Sequence, residues 1–382
     1  MIHSTLNRTA AEIAAAALFE TFPGIELLGG GKTSLGFSVD FLSKAKLPAE
    51  AEILIEERMR QIVREKRPIR VLEMVPFSAR ELLLKEGHFQ RAEEVGGGDL
   101  VEVVRIGTFH DLSPGPHLST TGELAAFKLW PLEHVGERQF RLSGCAFPSK
   151  GELKQFLKRL RYYPDLSHER AGFKKSLWRR AEGCFVWLPA GLKVRQEVIE
   201  LLRSHLFEGA LEVAYAGEAD RAALHPLLWS ELKSPLLAEI YLEAGCPWGD
   251  EEGLFLGEGG AKARVSIAAG PADWKEKAIS SLQLTTKTLN ILGFQHCLRL
   301  AGRRRSGNGA KALVEAADSL GGVERMPEEP NELGGLRLEF AVEDRLGRMW
   351  PAVAIEAAAK GLFITASVER LVALLLEKKS LA

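Results

Sequence analysis

A basic stretch with aromatic residues among its cations is the clearest chemical feature of the sequence. Between Lys150 and Arg180 there are ten basic and three acidic residues, and Tyr162, Tyr163, Phe173 and Trp178 lie among them. Basic side chains neutralise phosphates and aromatic rings stack on bases, so this mixture favours RNA binding. A solvated interdomain helix with long charged side chains would have the same composition, and both interpretations stay open. The residues that we expect to contact RNA are Lys158, Arg159, Arg161, Lys174, Lys175, Arg179 and Arg180.

The glycine-rich segment Gly29–Ser34 has part of a nucleotide-binding pattern. Its sequence, GGGKTS, contains the GKT end of the phosphate-binding motif GxxxxGK[ST], but no glycine stands where that motif begins. The residues that follow, LGFSVDF, alternate between apolar and polar types and predict a strand, whereas the motif must lead into a helix. We therefore expect no nucleotide at this loop.

The four cysteines, at positions 145, 184, 246 and 297, indicate reduced thiols rather than a metal site. They form no CxxC pair and no Cys/His spacing of the kind that zinc sites use. No run approaches the roughly 20 apolar residues that a membrane span needs, and the first residues lack the pattern of a signal peptide. We therefore expect a cytoplasmic protein with no membrane segment, no metal and no cofactor.

Composition and net charge exclude several classes of protein. The 382 residues predict two or three domains, and 46% hydrophobic with 26% charged residues is typical of a globular protein with a core. Fifty basic and 51 acidic residues give a formal net charge of -1. A protein that binds polyanions through its overall charge is therefore excluded, and any RNA affinity needs a local patch.

Hydrophobic periodicity predicts the helices and strands of an α+β fold. Apolar residues at helical spacing predict a helix over Thr9–Phe22, which Pro23–Gly24 ends. The alternation on either side of Gly31–Lys32 predicts a hairpin that turns at these two residues. A helix over Ala49–Lys66 and short strands over Leu100–Phe147 follow, and the amphipathic helix GELKQFLKRLR then closes a first domain. Further on, helices are predicted for KVRQEVIELLRSHL, KAISSLQLTTKTLNILGF and SVERLVALLLEKK, and strands for LRLEFAVED and PAVAIEA.

Several motifs of the first domain occur in an order known from a family. The string FHDLSPGPHLSTTGELAAFKL, followed by RLSGCAFPSKGELKQFLKRL, resembles the editing domain that threonyl-tRNA synthetase shares with alanyl-tRNA synthetase. That domain has D-x-C-x-G-P-H, then F-K-L, then a Y-G-T-A-F turn and a helix that ends in K-R-L. Upstream, TAAEIAAAALFETFPG, GFSVDF and VPFSAREL fall where the family has its histidine-bearing helix, its hairpin and its W-x-E-A-R-like element.

The remainder of the chain resembles the catalytic core of the class II synthetases more weakly. The segment FVWLPAGLKVRQEVIELLRSHL is similar to the entry to motif 1, LRLEFAVEDRLGRMWP to the strand pair near the end of the core, and ASVERLVALLLEK to motif 3. The resemblance implies an editing-like domain over residues 1–163 and a degenerate class II core, an antiparallel sheet with helices, over residues 164–382.

The resemblance also points to candidate editing residues. In the family, an HxxxH pair and a CxxxH pair position and activate a water that hydrolyses a mischarged ester. Here the HxxxH positions fall on Glu12 and Ala16, and the CxxxH positions fall on Ser113 and His117. If hydrolysis survives, Glu12 is the base, with Ser113 and His117 beside it. The alternative is that His117 only makes a structural hydrogen bond in a tight turn.

The synthetase chemistry has lost more of its residues. Class II activation of an amino acid needs a motif 2 arginine on the ATP α-phosphate and a motif 3 arginine on the side of the adenine and γ-phosphate. Motif 3 keeps Glu369 and Arg370, so Arg370 is a weak candidate for nucleotide binding; the alternative is an ion pair with Glu369 or Glu377. At aligned zinc-ligand positions the chain has Ala216 and Gly361, and ALEVAYAGEAD lacks the proline of motif 1. Between Glu239 and Gly260 there is no arginine or lysine, but there are Glu243, Asp250, Glu251, Glu252 and Glu258.

Two functions from different classes follow from these losses. The first is a threonyl-tRNA synthetase-like protein without aminoacylation activity, which binds tRNA, a protein partner or a small ligand and forms a homodimer through the class II core. The second is a free-standing editing enzyme that hydrolyses mischarged tRNA(Thr). A scaffold that binds only other proteins would leave no mark in the sequence.

Overall fold

A computed structural model describes most of the chain. The described residues are 4–96, 99–113, 115–181, 184–213, 229–231, 234–243, 260–269, 273–302, 307–320, 322–326, 335–358 and 360–379. The chain divides into two compact units, Met1–Lys158 and Arg159–Ala382.

The first unit contains helices and two antiparallel sheets. Its helices are α1 (Ser4–Thr21), α2 (Ala51–Glu65), α3 (Pro76–Glu86), α4 (Phe89–Glu93) and α5 (Lys150–Leu166), within which the two units divide. Its strands are β1 (Ile25–Lys32), β2 (Phe37–Ser43), β3 (Ile69–Met74), β4 (Val101–Ile106), β5 (Phe109–Leu112), β6 (Ala126–Leu129), β7 (Glu133–His134) and β8 (Gln139–Phe147). One sheet has the order β1-β2-β8-β6, with β7 also paired to β8, and the other has the order β3-β4-β5. The boundary expected between residues 163 and 164 lies within α5 as well.

Helix α1 is the centre of this unit because it is buried on every side, although its buried part includes the carboxyl group of Glu12. From Ala10 to Leu18 every side chain is buried, and α1 packs against strands of both sheets. The many alanines, with Ile13 and Leu18, give the helix the apolar surface that a core position requires. Its polar first turns are anchored as well: the Asn7 amide exchanges two hydrogen bonds with the backbone of Ala146, at 2.9 and 3.2 Å. The helix therefore begins at Ser4, five residues before the predicted start.

The hairpin of β1 and β2 turns at Ser34–Leu35, three residues later than the sequence predicts. Thr33 and Gly36 close the turn with backbone hydrogen bonds in both directions, and the triglycine lies within β1. A Cβ on Gly30 would lie 2.8 Å from the Ser38 oxygen, and one on Gly36 would lie 2.1 Å from the Gly144 oxygen. Gly30 and Gly36 allow neighbouring strands to approach closely, so the triglycine belongs to the strand and does not mark the turn.

The second unit contains helices and a larger sheet. Its helices after α5 are α6 (His168–Lys174), α7 (Pro189–His205), α8 (Trp274–Ile291), α9 (Asn308–Leu320) and α10 (Val368–Lys379). Its strands are β9 (Trp178–Ala181), β10 (Cys184–Trp187), β11 (Leu211–Val213), β12 (Leu236–Glu243), β13 (Gly260–Ala268), β14 (His296–Ala301), β15 (Glu324–Arg325), β16 (Arg337–Glu343), β17 (Met349–Ala358) and β18 (Gly361–Ser367).

An eight-stranded sheet forms the centre of the second unit. Its order is β11-β12-β13-β18-β17-β16-β14-β15, and only the two edge pairs are parallel. Apolar side chains of its strands and of α7 to α10 form one buried core, which includes Phe340, Ile355 and Leu371. The α+β class, with an antiparallel sheet and helices in this unit, is therefore confirmed. Within the described ranges, no helix combines the length and apolar character that crossing a bilayer requires.

Glu377, near the end of α10, joins distant parts of the second unit. Its carboxylate accepts hydrogen bonds from the Tyr163 hydroxyl at 2.7 Å and from the backbone N–H of Arg345 at 3.1 Å. The His168 Nδ1 lies 2.6 Å from the same carboxylate. Glu377 and His168 are buried, so this carboxylate is part of the core and not of the surface.

Candidate functional site

The three candidate editing residues meet at the junction of α1 with the loop that follows β5. Glu12 lies on α1, and Ser113 and His117 lie on the loop. The backbone N–H of Leu118 donates to the Thr9 hydroxyl at 3.0 Å, and that hydroxyl donates to the Thr5 oxygen at 2.9 Å. The loop is thus fastened to the helix one turn from Glu12.

Glu12 is a buried carboxyl group with an unusual proton affinity. The Ser113 side chain lies beside it and lowers its pKa, while Oε2 is buried with no hydrogen-bond partner among the described residues. Burial and then the negative charge of Asp111 raise its pKa to about 8, although Ser113, Arg91 and Arg8 act in the opposite direction. Near pH 7 the carboxyl group is therefore mostly protonated, and it exchanges its proton close to neutral pH.

His117 is held by the backbone of Ser113. Its Nε2 lies 3.1 Å from the Ser113 carbonyl oxygen, which can only accept a hydrogen bond, so Nε2 carries the proton. Nδ1 is then an acceptor, and it is buried with no donor among the described residues. Burial lowers the pKa of His117, and the charge of Arg8 lowers it further, so the ring is neutral near pH 7. The structural hydrogen bond and a free acceptor thus occur on the same ring.

A buried ion pair beside these residues was not predicted. Arg91 Nε donates to Asp111 Oδ1 at 2.8 Å, and another guanidinium nitrogen donates to the Leu112 oxygen. Asp111 is the first residue of the motif that also contains Ser113, and Arg8 precedes Glu12 by one helical turn; both spacings were visible in the sequence. Arg91 is 20 residues away on α4, and no local pattern joins it to Asp111.

The cluster has the properties of an acid–base site. A group with a pKa near the working pH and with a hydroxyl partner can move a proton efficiently. Within the described ranges, no three His, Cys, Asp or Glu side chains are placed to hold a metal ion. Ala16, at the second family histidine position, is fully buried and contributes only packing.

The basic segment, which we define as residues 158–180, exposes its cations. Six of the seven expected RNA contacts are exposed, and none of these six side chains makes an ion pair or hydrogen bond with another described residue: Lys158, Arg159, Arg161, Lys174, Lys175 and Arg179. The side chain of Arg180 lies outside the described part of the chain. On α2, by contrast, Arg58, Arg60 and Arg64 are paired with Glu20, Glu56 and Glu57.

The four aromatic residues of this stretch divide into two pairs. Tyr162 and Phe173 are 52% and 40% exposed. Tyr163 bonds to Glu377, and Trp178 is fully buried against Trp187 in an edge-on contact with ring centroids 5.4 Å apart. Only the first pair is available to stack on a base.

Arg370 is buried in the second unit. Its Nη1 donates to the Pro351 oxygen at 2.6 Å, and its guanidinium lies 5.9 Å from the centre of the Trp350 ring. The neighbouring Glu369 accepts from Arg195 Nε at 3.0 Å and from the backbone N–H of Ala261 at 2.7 Å. These contacts join α10 to the sheet through Pro351 and Ala261 and to α7 through Arg195.

The other synthetase positions are partly outside the described residues. The positions outside the described residues are Ala216, Asp250, Glu251, Glu252 and Glu258. Gly361 is described: a Cβ there would lie 2.2 Å from the Ile267 oxygen, so the position has no room for a side chain.

Sequence comparisons find similar chains among the threonine–tRNA ligases. No family model matches the chain. The threonine–tRNA ligase of Marinobacter nauticus is 30% identical over 212 residues, which are 52% of this chain and 33% of the relative. That of Oleidesulfovibrio alaskensis is 22% identical over 92% of this chain and 64% of the relative. Among solved structures, the RNA-binding domain of threonyl-tRNA synthetase from Cryptosporidium parvum has a TM-score of 0.45 and 15% identity, over 56% of this chain and 72% of that chain.

The chain spans between a third and just under two thirds of the length of these two sequence relatives. Threonine–tRNA ligase is the systematic name of threonyl-tRNA synthetase, the family that the motifs indicate. The resemblance is therefore confirmed, and this protein is related to the threonine–tRNA ligases.

Proposed function

We propose that this protein binds tRNA through the basic segment and does not aminoacylate it. The observation that carries the proposal is the set of six exposed cations in that segment whose side chains make no ion pair or hydrogen bond with another described residue. A cation that is already paired must break its ion pair before it binds a phosphate, as Arg58 or Arg60 would. The six exposed cations of the basic segment have no described ion pair to break.

Exposed aromatic rings add a second type of contact. Tyr162 and Phe173 lie in the same segment as the cations. Stacking of a base on an aromatic ring contributes about 1–3 kcal/mol and tolerates any base. We therefore expect the segment to bind single-stranded or loop regions of tRNA as well as duplex phosphates.

The absence of aminoacylation is supported by the motif 2 and motif 3 positions. The sequence between Glu239 and Gly260 is acidic, and a phosphate would be repelled there. The buried Arg370 donates to the Pro351 oxygen. Pyrophosphate exchange with threonine, ATP and pyrophosphate tests this part, and we expect none. Clear exchange above a heat-denatured control would contradict the proposal.

A second function is favoured by the buried carboxyl group of Glu12. In this alternative, the protein hydrolyses seryl-tRNA(Thr). Deprotonated Glu12 takes a proton from water, the water oxygen attacks the ester carbonyl, and the bond to the ribose oxygen breaks as that oxygen takes up a proton. The supporting observation is the buried Glu12 carboxyl beside Ser113. Its Oε2 has no hydrogen-bond partner among the described residues, and its pKa is raised to about 8.

A deacylation assay separates the two functions. If Glu12 is the base, the rate above the uncatalysed reaction rises with pH through about 8. Glu12→Gln and His117→Ala should then abolish the reaction, while the exposed control Glu133→Gln leaves it unchanged. A parent protein that releases no serine would reject hydrolysis and leave tRNA binding in place.

The domain assignment and the oligomeric state belong to the same proposal. Residues 1–163 are the editing-like domain, residues 164–382 are the class II core-like domain, and a homodimer forms through the second. Light scattering at several concentrations measures the mass: about 84 kDa is expected, twice the 42.0 kDa of the chain. A constant monomer mass would exclude the dimer, and capture from a native lysate would then search for a different protein partner.

A further inference from the structure

A cavity of about 510 Å³ lies in the first unit, away from the candidate editing residues. One wall is the loop of residues 44–49 between β2 and α2, and the other is the segment of residues 131–138 before β8. The backbone N–H of Ser43 donates to the Arg138 oxygen at 3.1 Å and joins the two walls. A volume of roughly 300–1,000 Å³ is usual for small-molecule sites, so the cavity is large enough for a ligand.

The floor of the cavity is apolar and contains aromatic rings. Phe140 is buried in β8 and stacks on Phe41, with ring centroids 5.6 Å apart and planes at 21°. The exposed ring of His134 lies on Phe140, with centroids 4.4 Å apart. Leu47 and Leu132 line the same floor and pack against the core. Because the core supports it, the floor is formed before any ligand binds.

The walls carry charges that have no partner among the residues that the structure describes. Lys44, Lys46 and Arg138 are exposed, and none makes an ion pair or side-chain hydrogen bond with any residue that the structure describes. Glu52 and Glu137 line the same cavity and likewise make none among the described residues. Such cations, carboxylates and an apolar floor together suit a ligand that has an anionic group, hydroxyl groups and a flat apolar part.

We propose that this cavity binds a mononucleotide unit, either free or at the end of an RNA strand. The phosphate pairs with Lys44, Lys46 and Arg138. The base stacks on the exposed face of His134, and the ribose hydroxyls donate to Glu52 and Glu137, as ribose hydroxyls do to acidic residues in nucleotide sites. A simple anion would leave the two carboxylates repelling it, and an apolar ligand would leave the three cations unused. The site shares no residue with the Glu12 cluster or the basic segment.

Calorimetric titration of the full chain with AMP tests the proposal. We expect saturable binding that is at least about tenfold tighter than that of adenosine or of inorganic phosphate, because each probe lacks one part of the ligand. The double variant Lys46→Ser/Arg138→Ser should weaken AMP binding about tenfold or more, a factor that corresponds to about 1.4 kcal/mol. The single variant His134→Ala should weaken AMP binding while leaving phosphate binding unchanged.

A matched control removes the same charges elsewhere. Arg80 and Lys85 are exposed on α3 and do not line the cavity, so Arg80→Ser/Lys85→Ser should bind AMP as the parent does. Melting temperatures of all variants check that each one is folded. Absence of saturable AMP binding by the parent, an equal loss in the control, or phosphate binding as tight as AMP binding would each overturn the proposal. A trinucleotide of RNA distinguishes the source: affinity tenfold above that of AMP identifies a strand end, and equal affinity identifies a free nucleotide.

Discussion

Removing three cations from the basic segment should weaken tRNA binding by a predictable amount. The variant is Lys174→Ser/Lys175→Ser/Arg179→Ser, because these side chains are exposed and make no ion pair with a described residue. Each phosphate contact contributes about 0.9 to the slope of log K against log salt for duplex and about 0.7 for single strands. Three contacts therefore contribute about 2.7 to this slope for duplex and about 2.1 for single strands. At 0.1 M salt this corresponds to an affinity loss of about 500-fold or about 100-fold.

The assay is fluorescence anisotropy of labelled tRNA(Thr), repeated at salt concentrations from about 0.05 to about 0.3 M. The control variant, Lys193→Ser/Lys287→Ser/Lys360→Ser, removes the same charge from exposed positions of the same unit. Exposed charges contribute less than about 1 kcal/mol each to stability, so both variants should melt close to the parent. A parent whose affinity does not depend on salt, or a control that loses as much affinity as the variant, would refute RNA binding by the basic segment.

Three further predictions concern the first unit. The pKa of Glu12 is raised from 4.5 to about 8, so its carboxyl binds more protons in the folded chain than in the unfolded chain. The free energy of unfolding should therefore fall as the pH rises from 4.5 to about 8, by at most about 1.4 kcal/mol per pH unit. Urea unfolding at pH 5 and pH 8 measures this, and a Glu12→Gln variant with the same pH dependence as the parent would contradict it. Thr9→Val leaves the backbone N–H of Leu118 without its acceptor and should cost about 1–3 kcal/mol; an unchanged urea midpoint would show that the loop is held by other contacts. Gly36→Ala places a Cβ 2.1 Å from the Gly144 oxygen and should lower the melting temperature by several degrees. The control Gly136→Ala, whose Cβ would lie 3.4 Å from its nearest neighbouring atom, should leave the melting temperature unchanged. Equal shifts in the two variants would be inconsistent with the close strand contact at Gly36.

The sequence predicts apolar elements better than their polar ends. The Ala-rich part of α1 follows from its composition, but the helix extends to Ser4 because Asn7 and Thr9 bond to neighbouring backbone. Polar residues before an apolar run suggest a cap just outside the helix. Here they lie inside the helix because their side chains form hydrogen bonds with neighbouring segments. In the same way, the triglycine suggested a turn, although glycine is required at Gly30 because the neighbouring strand packs closely against it.

The candidate editing cluster could be predicted only in part. Motif positions place Glu12 and Ser113 in one cluster, and the structure brings them into contact. The partner of Asp111 could not be predicted, because Arg91 reaches it through the packing of α4. Tyr162 and Tyr163 illustrate a different difficulty. Neighbours on a helix point about 100° apart, so one faces solvent and the other reaches Glu377, and their adjacent positions in the sequence do not indicate which is which.

The hydrogen bonds of Glu377 affect the order in which the second unit can form during synthesis. Tyr163 and His168 leave the ribosome more than two hundred residues before the carboxylate that they bond. Contacts of such long sequence separation form slowly because a long loop must close first. Helix α6 therefore cannot complete its buried hydrogen bonds until α10 has been made, and a nascent chain halted before residue 377 would keep this part of the core exposed to chaperones and proteases.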